Sequence, residues 1–152
     1  MRTITQQVQR PTVAVCIHYP RECEKLLSAG QTIAEQMDAR LELVHVVDKD
    51  TRPSDFCWIA EALYAAAKQY DAELTLLFEG HPVFSAAKYF LFHRPVRIIT
   101  GLPERDQRFV HGLKEFLPAI PFSMVSDEGI VYNMFPGGFQ TTPEPVLVRT
   151  HN

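Results

Sequence analysis

The chain has 152 residues, 46% of them apolar and 22% charged, with a formal net charge of -3. That length and composition suit one globular domain large enough to bury a real core, and the mild acidity argues against a dedicated nucleic-acid binder, which carries a basic face. Cys16, Cys23 and Cys57 are an odd set without C-x-x-C spacing, so free thiols in a reducing compartment are expected rather than a disulfide framework. No apolar run reaches the ~20 residues that a membrane-spanning helix needs, and the first ten residues lack the apolar stretch of a signal peptide. A cytoplasmic protein is expected.

Residues 1–11 read as a polar lead-in. Val13-Ala14-Val15-Cys16-Ile17 is short, apolar and rich in β-branched residues, the pattern of a central strand covered on both faces. The polar turn from His18 to Glu22 leads into a helix with Cys23, Leu26, Leu27, Ile33, Ala34 and Met37 on one stripe. Leu41 to Val47 reads as a second strand. Asp48 to Asp55 is a connection in which Ser54 or Asp55 is expected to cap the next helix. That helix places Phe56, Ile59, Ala60, Leu63, Ala66, Ala67 and Tyr70 at core spacing.

The joint that follows, Tyr70-Asp71-Ala72-Glu73-Leu74, echoes Met37-Asp38-Ala39-Arg40-Leu41 and supports repeated βα units. After a third strand, Pro82 takes a favourable first-turn position in a helix with Val83, Ala86, Ala87, Phe90 and Leu91 inward. Arg94-Pro95 ends it. Val96 to Thr100 is a fourth strand, and Phe109, Val110, Leu113, Phe116 and Leu117 mark a fourth helix. A fifth strand covers Phe122 to Ser126. The alternation predicts an open, mainly parallel sheet with helices on both faces. Residues 12–126 are expected to form this α/β unit and residues 127–152 a C-terminal extension. In the extension, Ile130 to Tyr132 and Val146 to Val148 suggest short strands, and Met134, Phe135 and Phe139 are expected to cover a sheet edge or meet a second subunit.

The chain resembles the universal stress protein family over about Thr12 to Ser126. The stretches that carry the resemblance are Val13–Ile17, Ala34-Glu35-Gln36-Met37-Asp38-Ala39 ahead of Leu43–Val47, and Val96 to Gly101. It looks most like the stress-protein-like domain of potassium-sensing histidine kinases. The resemblance implies a Rossmann-like sheet of order 3-2-1-4-5, homodimers, and an ATP- or AMP-type nucleotide at the sheet's C-terminal edge. Nucleotide-binding members carry G-x-x-G-x9-G-[ST] after the fourth strand, whose glycines let the backbone approach phosphates. Gly101 matches the first glycine, but Glu104 and Lys114 replace the other two. Such members also place an Asp after the first strand, where this chain has His18-Tyr19-Pro20. Glu104 would set a carboxylate near a phosphate, so phosphate cradling of the usual kind is not expected here.

The candidate ligand rim is therefore His18, Tyr19, Pro20, Arg21, Val46, Val47, Asp48, Thr100, Gly101 and Arg105. In it Arg21 and Arg105 face an anion and the backbone near Val46 and Val47 reads a base. His81 is expected at the same edge, and a set of solvated loop ends is the plainer reading. Cys16, His18 and His45 have zinc-binding side chains but no short-spaced ligand pair, so no metal site is expected. No cysteine or serine has a recognisable catalytic base, and no catalytic residue is assigned. Arg97, inside a presumed central strand, is out of place. Tyr89, Phe90, Phe92 and His93 surround the third helix and suggest a subunit contact. Three functional readings result: a non-catalytic stress-response or regulatory domain that senses a small ligand; a degenerate domain that works through homodimerisation or a protein partner, including a parent sensor protein; and, least favoured, a nucleotidyl-transfer or hydrolase enzyme.

Overall fold

The structure, a computed structural model, describes residues 10–18, 23–78, 80–102, 107–136 and 145–147. Its elements run β1 (Thr12–Ile17), α1 (Cys23–Met37), β2 (Arg40–Val46), α2 (Pro53–Gln69), β3 (Ala72–Leu77), α3 (Pro82–His93), β4 (Arg97–Gly101), α4 (Gln107–Phe116), β5 (Phe122–Val125), β6 (Ile130–Met134) and β7 (Pro145–Leu147). One seven-stranded sheet has the order β3-β2-β1-β4-β5-β6-β7. The first five strands are parallel in the expected 3-2-1-4-5 order, while β6 and β7 are antiparallel additions. The C-terminal strands thus continue the main sheet, with Met134 opposite Phe122 and packed into the core.

Alternation along β1 divides the core into two layers. Val13, Val15 and Ile17 point to the layer under α1 and α2, with Leu27, Ile33, Leu43, Leu63 and Ile99. Ala14 and Cys16 point to the layer under α3 and α4, with Val44, Phe90, Ile98, Leu113 and Phe122. Burial on both faces is what made β1 read as a continuous apolar run. Gly30 lets α1 come close to the sheet: a Cβ there would sit 2.8 Å from Val15 Cγ2 and 2.9 Å from Leu41 Cδ1.

The echoed joints have one physical cause. Asp38 and Asp71 both adopt the left-handed conformation, with φ of 53° and 56°. Asp tolerates this region better than most side chains, so each ends its helix and turns the chain into the next strand. At the first joint Ala39 N–H reaches back to the Ala34 carbonyl at 2.8 Å, which closes the helix end.

Several local expectations are corrected. Neither Ser54 nor Asp55 caps α2: the N-cap is Arg52, without a side-chain cap bond, and Pro53 opens the helix. Proline's fixed φ and missing N–H already suit the first turn. The cap of α3 is His81, whose Nδ1 accepts from Val83 N–H at 3.2 Å. Leu91 and Phe116, assigned to inner stripes, are exposed at 53% and 45%. Each lies at the flank of its apolar stripe, and Phe116 packs edge-on against Phe84 rather than under the sheet. No helix among the described residues is long and apolar enough to cross a membrane.

Candidate functional site

The winding reverses between β1 and β4. Chain direction carries β1 to β2 and β3 on one side, and β4 to β5 on the other. In open α/β sheets the crevice outside the carboxyl ends of the strands at such a point is where ligands bind. The β1–β4 register pairs Val13 with Arg97 and Val15 with Ile99, so two residues further on Ile17 is level with Gly101. His18, Thr100 and Gly101 therefore meet at one edge, and β2 brings Val46, Val47 and Asp48 beside them. Tyr19, Pro20, Arg21 and Arg105 lie outside the described residues.

His18 is half-buried and its ring stacks on Phe109 of α4, with centroids 5.1 Å apart and an interplanar angle of 28°. The imidazole thus leans across the β1–β4 boundary toward the helix that follows β4. Behind it, His45 is buried, and its Nδ1 lies 3.4 Å from the Ile17 carbonyl. Burial pushes the His45 pKa below its ordinary value, the Ile17 carbonyl opposes this, and the nearby His18 pushes it further down.

The other rim residues differ in what they offer. Val46 is buried in the α3 layer, and Val47 N–H donates to the Leu77 carbonyl at 2.8 Å. The Val47 N–H is thus engaged within the sheet. Asp48 is exposed and organises its own turn: Oδ1 accepts from Asp50 N–H at 3.3 Å, and its carbonyl accepts from Thr51 N–H at 2.9 Å. Thr100 is buried, with Oγ1 donating to the Gly101 carbonyl at 2.9 Å. Gly101 needs no special backbone conformation, and among the described residues a Cβ there would meet nothing within 4 Å. The edge therefore combines an imidazole, a carboxylate and strand-end backbone at Gly101.

Cys16 packs in the layer under α3 and α4, whereas alternation along β2 turns His45 toward the layer under α1 and α2, so these two side chains do not converge. Among the described residues no group of three His, Cys, Asp or Glu side chains could hold a metal ion. Cys16, Cys23 and Cys57 form no disulfide; Cys16 and Cys23 are buried and Cys57 is exposed.

Two polar clusters lie away from this edge. On the α3 face, the Glu42 carboxylate accepts from Thr75 Oγ1 at 2.7 Å and from the Tyr89 hydroxyl. On the α1/α2 face, Arg97 Nη1 donates to Ser123 Oγ at 2.9 Å and to Asn133 Oδ1 at 3.4 Å. Ser123 Oγ donates in turn to Asn133 Oδ1 at 2.7 Å. Single charged residues within the apolar strands around Glu42 and Arg97 were the signal for both clusters. Their partners come from other elements and could not be read locally. Tyr89 points to Glu42 and Phe90 is fully buried, so of the aromatic group on α3 Phe92 and His93 remain exposed.

No protein-family model and no curated protein matches the sequence. Solved structures do resemble the fold. A universal stress protein from Archaeoglobus fulgidus is 14% identical over 73% of this chain and 90% of that one, with a TM-score of 0.58. One from Burkholderia pseudomallei is 16% identical over 76% of this chain and 96% of that one, with a TM-score of 0.57. The Archaeoglobus fulgidus universal stress protein in complex with dAMP is 16% identical over 70% of this chain and 90% of that one, with a TM-score of 0.54. At these identities the likeness is one of fold.

Proposed function

We propose that this protein is a non-catalytic, cytoplasmic regulatory domain that binds a small polar ligand at the carboxyl edge of its sheet, with an adenine nucleotide as the first candidate. The observation that carries the reading is the side-by-side placement of His18 and Gly101 at the winding reversal, where among the described residues nothing lies within 4 Å of a Cβ added at Gly101. The dAMP complex of a universal stress protein with the same fold supports the choice of nucleotide. With Glu104 and Lys114 in place of glycines, recognition rests on the base and sugar more than on the phosphates. His18, already stacked on Phe109, offers a ring to a base and a nitrogen to a hydroxyl.

The test is native mass spectrometry of the protein as purified, followed by calorimetric titration with AMP, dAMP and ATP. A retained nucleotide, or saturable binding of one, is the expected result. No saturable binding of any adenine nucleotide would remove the nucleotide version. The second reading, action through association, is favoured by the exposed apolar groups Trp58, Tyr64, Phe84 and Phe92.

A further inference from the structure

The two helix layers that cover the sheet carry opposite charge. On one side α1 has Glu24, Lys25 and Glu35, and α2 has Asp55, Glu61 and Lys68, a net -2. On the other side α3 with its C-cap has Lys88 and Arg94 and no acid, and α4 has Arg108 and Lys114 against Glu115. That layer is net +3 with its histidines neutral. A chain of net -3 therefore presents one cationic face, which its overall acidity conceals. Among the described residues no acid forms an ion pair with Lys88, Arg94 or Arg108.

The same face exposes large apolar side chains. Val83, Ala86, Ala87 and Phe90 turn α3 onto the sheet, and its outer side holds Phe84, Lys88, Leu91 and Phe92. Phe92 is 83% exposed, and Phe84 and Leu91 are each more than half exposed. Lys88 stands inside this group, one helical turn from Phe84 on one side and from Leu91 and Phe92 on the other. α3 and α4 approach closely enough to form one surface. A Cβ at Gly112 would sit 2.9 Å from Val83 Cγ1, and Phe84 meets Phe116 edge-on with centroids 5.2 Å apart. Phe109, Val110 and Leu113 turn α4 inward, which leaves Arg108 and His111 facing out beside the phenyl rings.

From these features we infer that the outer face of α3 and α4 docks on the surface of an anionic phospholipid bilayer. Phe84, Leu91 and Phe92 enter the boundary between headgroups and acyl chains. The Lys88 stem runs beside them and holds its ammonium at the level of the phosphates. Arg94 at the end of α3 and Arg108 in the first turn of α4 meet headgroups at opposite ends of the face. The arrangement disfavours a protein partner, because the cores of protein interfaces are depleted in lysine and Lys88 lies in the middle of this one. It disfavours single-stranded nucleic acid too. Bases stack on open ring faces, whereas Phe84 and Phe116 are engaged with each other and Leu91 has no ring. Acyl chains close around any projecting side chain, so a lipid surface needs no matching shape. This docking is independent of any nucleotide at the carboxyl edge.

Flotation of the full chain with lipid vesicles tests the face, with circular dichroism to verify that each variant folds. The wild type is expected to partition onto phosphatidylcholine vesicles holding about 30% phosphatidylglycerol, and not onto phosphatidylcholine alone. Partition is expected to weaken as added salt shortens the Debye length from about 10 Å to about 3 Å. Lys88→Gln removes one charge beside the surface and is expected to weaken partition about fivefold. Phe92→Ser removes apolar area that the fold itself leaves exposed, and is expected to weaken it about tenfold. Lys68→Gln makes the same change in net charge on the α2 side and is expected to leave partition unchanged. In W58F/F92W the one tryptophan sits on the docking face, and its emission is expected to shift to the blue on the charged vesicles. No partition onto the charged vesicles overturns the inference, as does equal partition onto both kinds. So does partition that Lys88→Gln and Phe92→Ser leave intact, or that Lys68→Gln weakens as much. Saturable binding of a single-stranded oligonucleotide without vesicle partition would assign the face to nucleic acid and overturn it as well.

Discussion

Tyr89 on α3 donates its hydroxyl hydrogen bond to the carboxylate of Glu42 in β2, joining a helix to the strand beneath it through an acid that is 9% exposed. Burial first, and then the bond to Glu42, push the tyrosine pKa up to about 12. The phenol therefore remains a donor throughout the physiological range. Thr75 supplies the second bond to the same oxygen from β3, so the carboxylate ties three elements together.

Removing one donor leaves that carboxylate short of a partner in a partly dry site. Tyr89→Phe keeps the ring and its stacking on His93, whose centroid is 4.1 Å away, and deletes only the hydroxyl. A hydrogen bond to a charged group contributes about 1.5–3 kcal/mol, so a loss near the lower end is expected for this half-exposed tyrosine. Urea unfolding at neutral pH measures it. A variant as stable as wild type would mean that water replaces the phenol at no cost.

Arg97 leads to the opposite expectation. Its guanidinium is half-buried and Nε has no hydrogen-bond partner among the described residues. Its bonded partners Ser123 and Asn133 are neutral, and burial alone pulls its pKa down. The Phe135 ring, 5.4 Å from the guanidinium carbon, is a modest compensation. Arg97→Met removes the desolvated charge and keeps most of the volume, while Ser123 retains its bond to Asn133. Stability within about 1 kcal/mol of wild type, or above it, is expected from denaturant unfolding. A loss beyond about 3 kcal/mol would show that the lost hydrogen bonds outweigh the relief of desolvation.

These two residues mark the limit of what the sequence shows. Helix faces were legible because apolar spacing is a local record of burial, and β1 announced itself by being covered on both sides, whereas the strand order was implied only by the family resemblance. The Asp38 and Asp71 joints were legible as an echo, though their left-handed backbone was not. The destination of Glu42 depends on α3, which begins 40 residues later, and that of Arg97 on β5 and β6. No periodicity encodes such meetings. At the candidate site, sequence placed His18, Asp48 and Gly101 at one edge through strand order. It could not show that Phe109 takes the face of His18 or that Leu77 engages the Val47 N–H.

His45 makes stability depend on pH in a defined direction. Its folded pKa lies below the ordinary 6.5, so between those two values the unfolded chain binds more protons than the folded one. Stability is therefore complete above about pH 6.5 and is lost as pH falls toward the folded pKa. Guanidinium unfolding at steps from pH 7.5 to 5.5 is expected to show this decline, and His45→Gln to flatten it. An equal slope in both proteins would assign the decline to other groups.

Gly101 separates the fold from the binding reading. Among the described residues a Cβ there meets no atom within 4 Å, and the backbone is not in the left-handed region, so Gly101→Ala has no steric reason to destabilise the fold and the branched Gly101→Val projects from the same clear Cβ position. Replacing a strand glycine lowers the entropy of the unfolded chain, and stability equal to wild type or up to about 1 kcal/mol higher is expected. A ligand resting over the end of β4 would occupy the space that the new side chain takes. Saturable nucleotide binding by the wild type should therefore weaken in Gly101→Ala and fail in Gly101→Val, while both variants melt at or above the wild-type temperature. Undiminished binding in Gly101→Val would move the ligand away from β4. A destabilised Gly101→Ala would show that this position serves the fold itself.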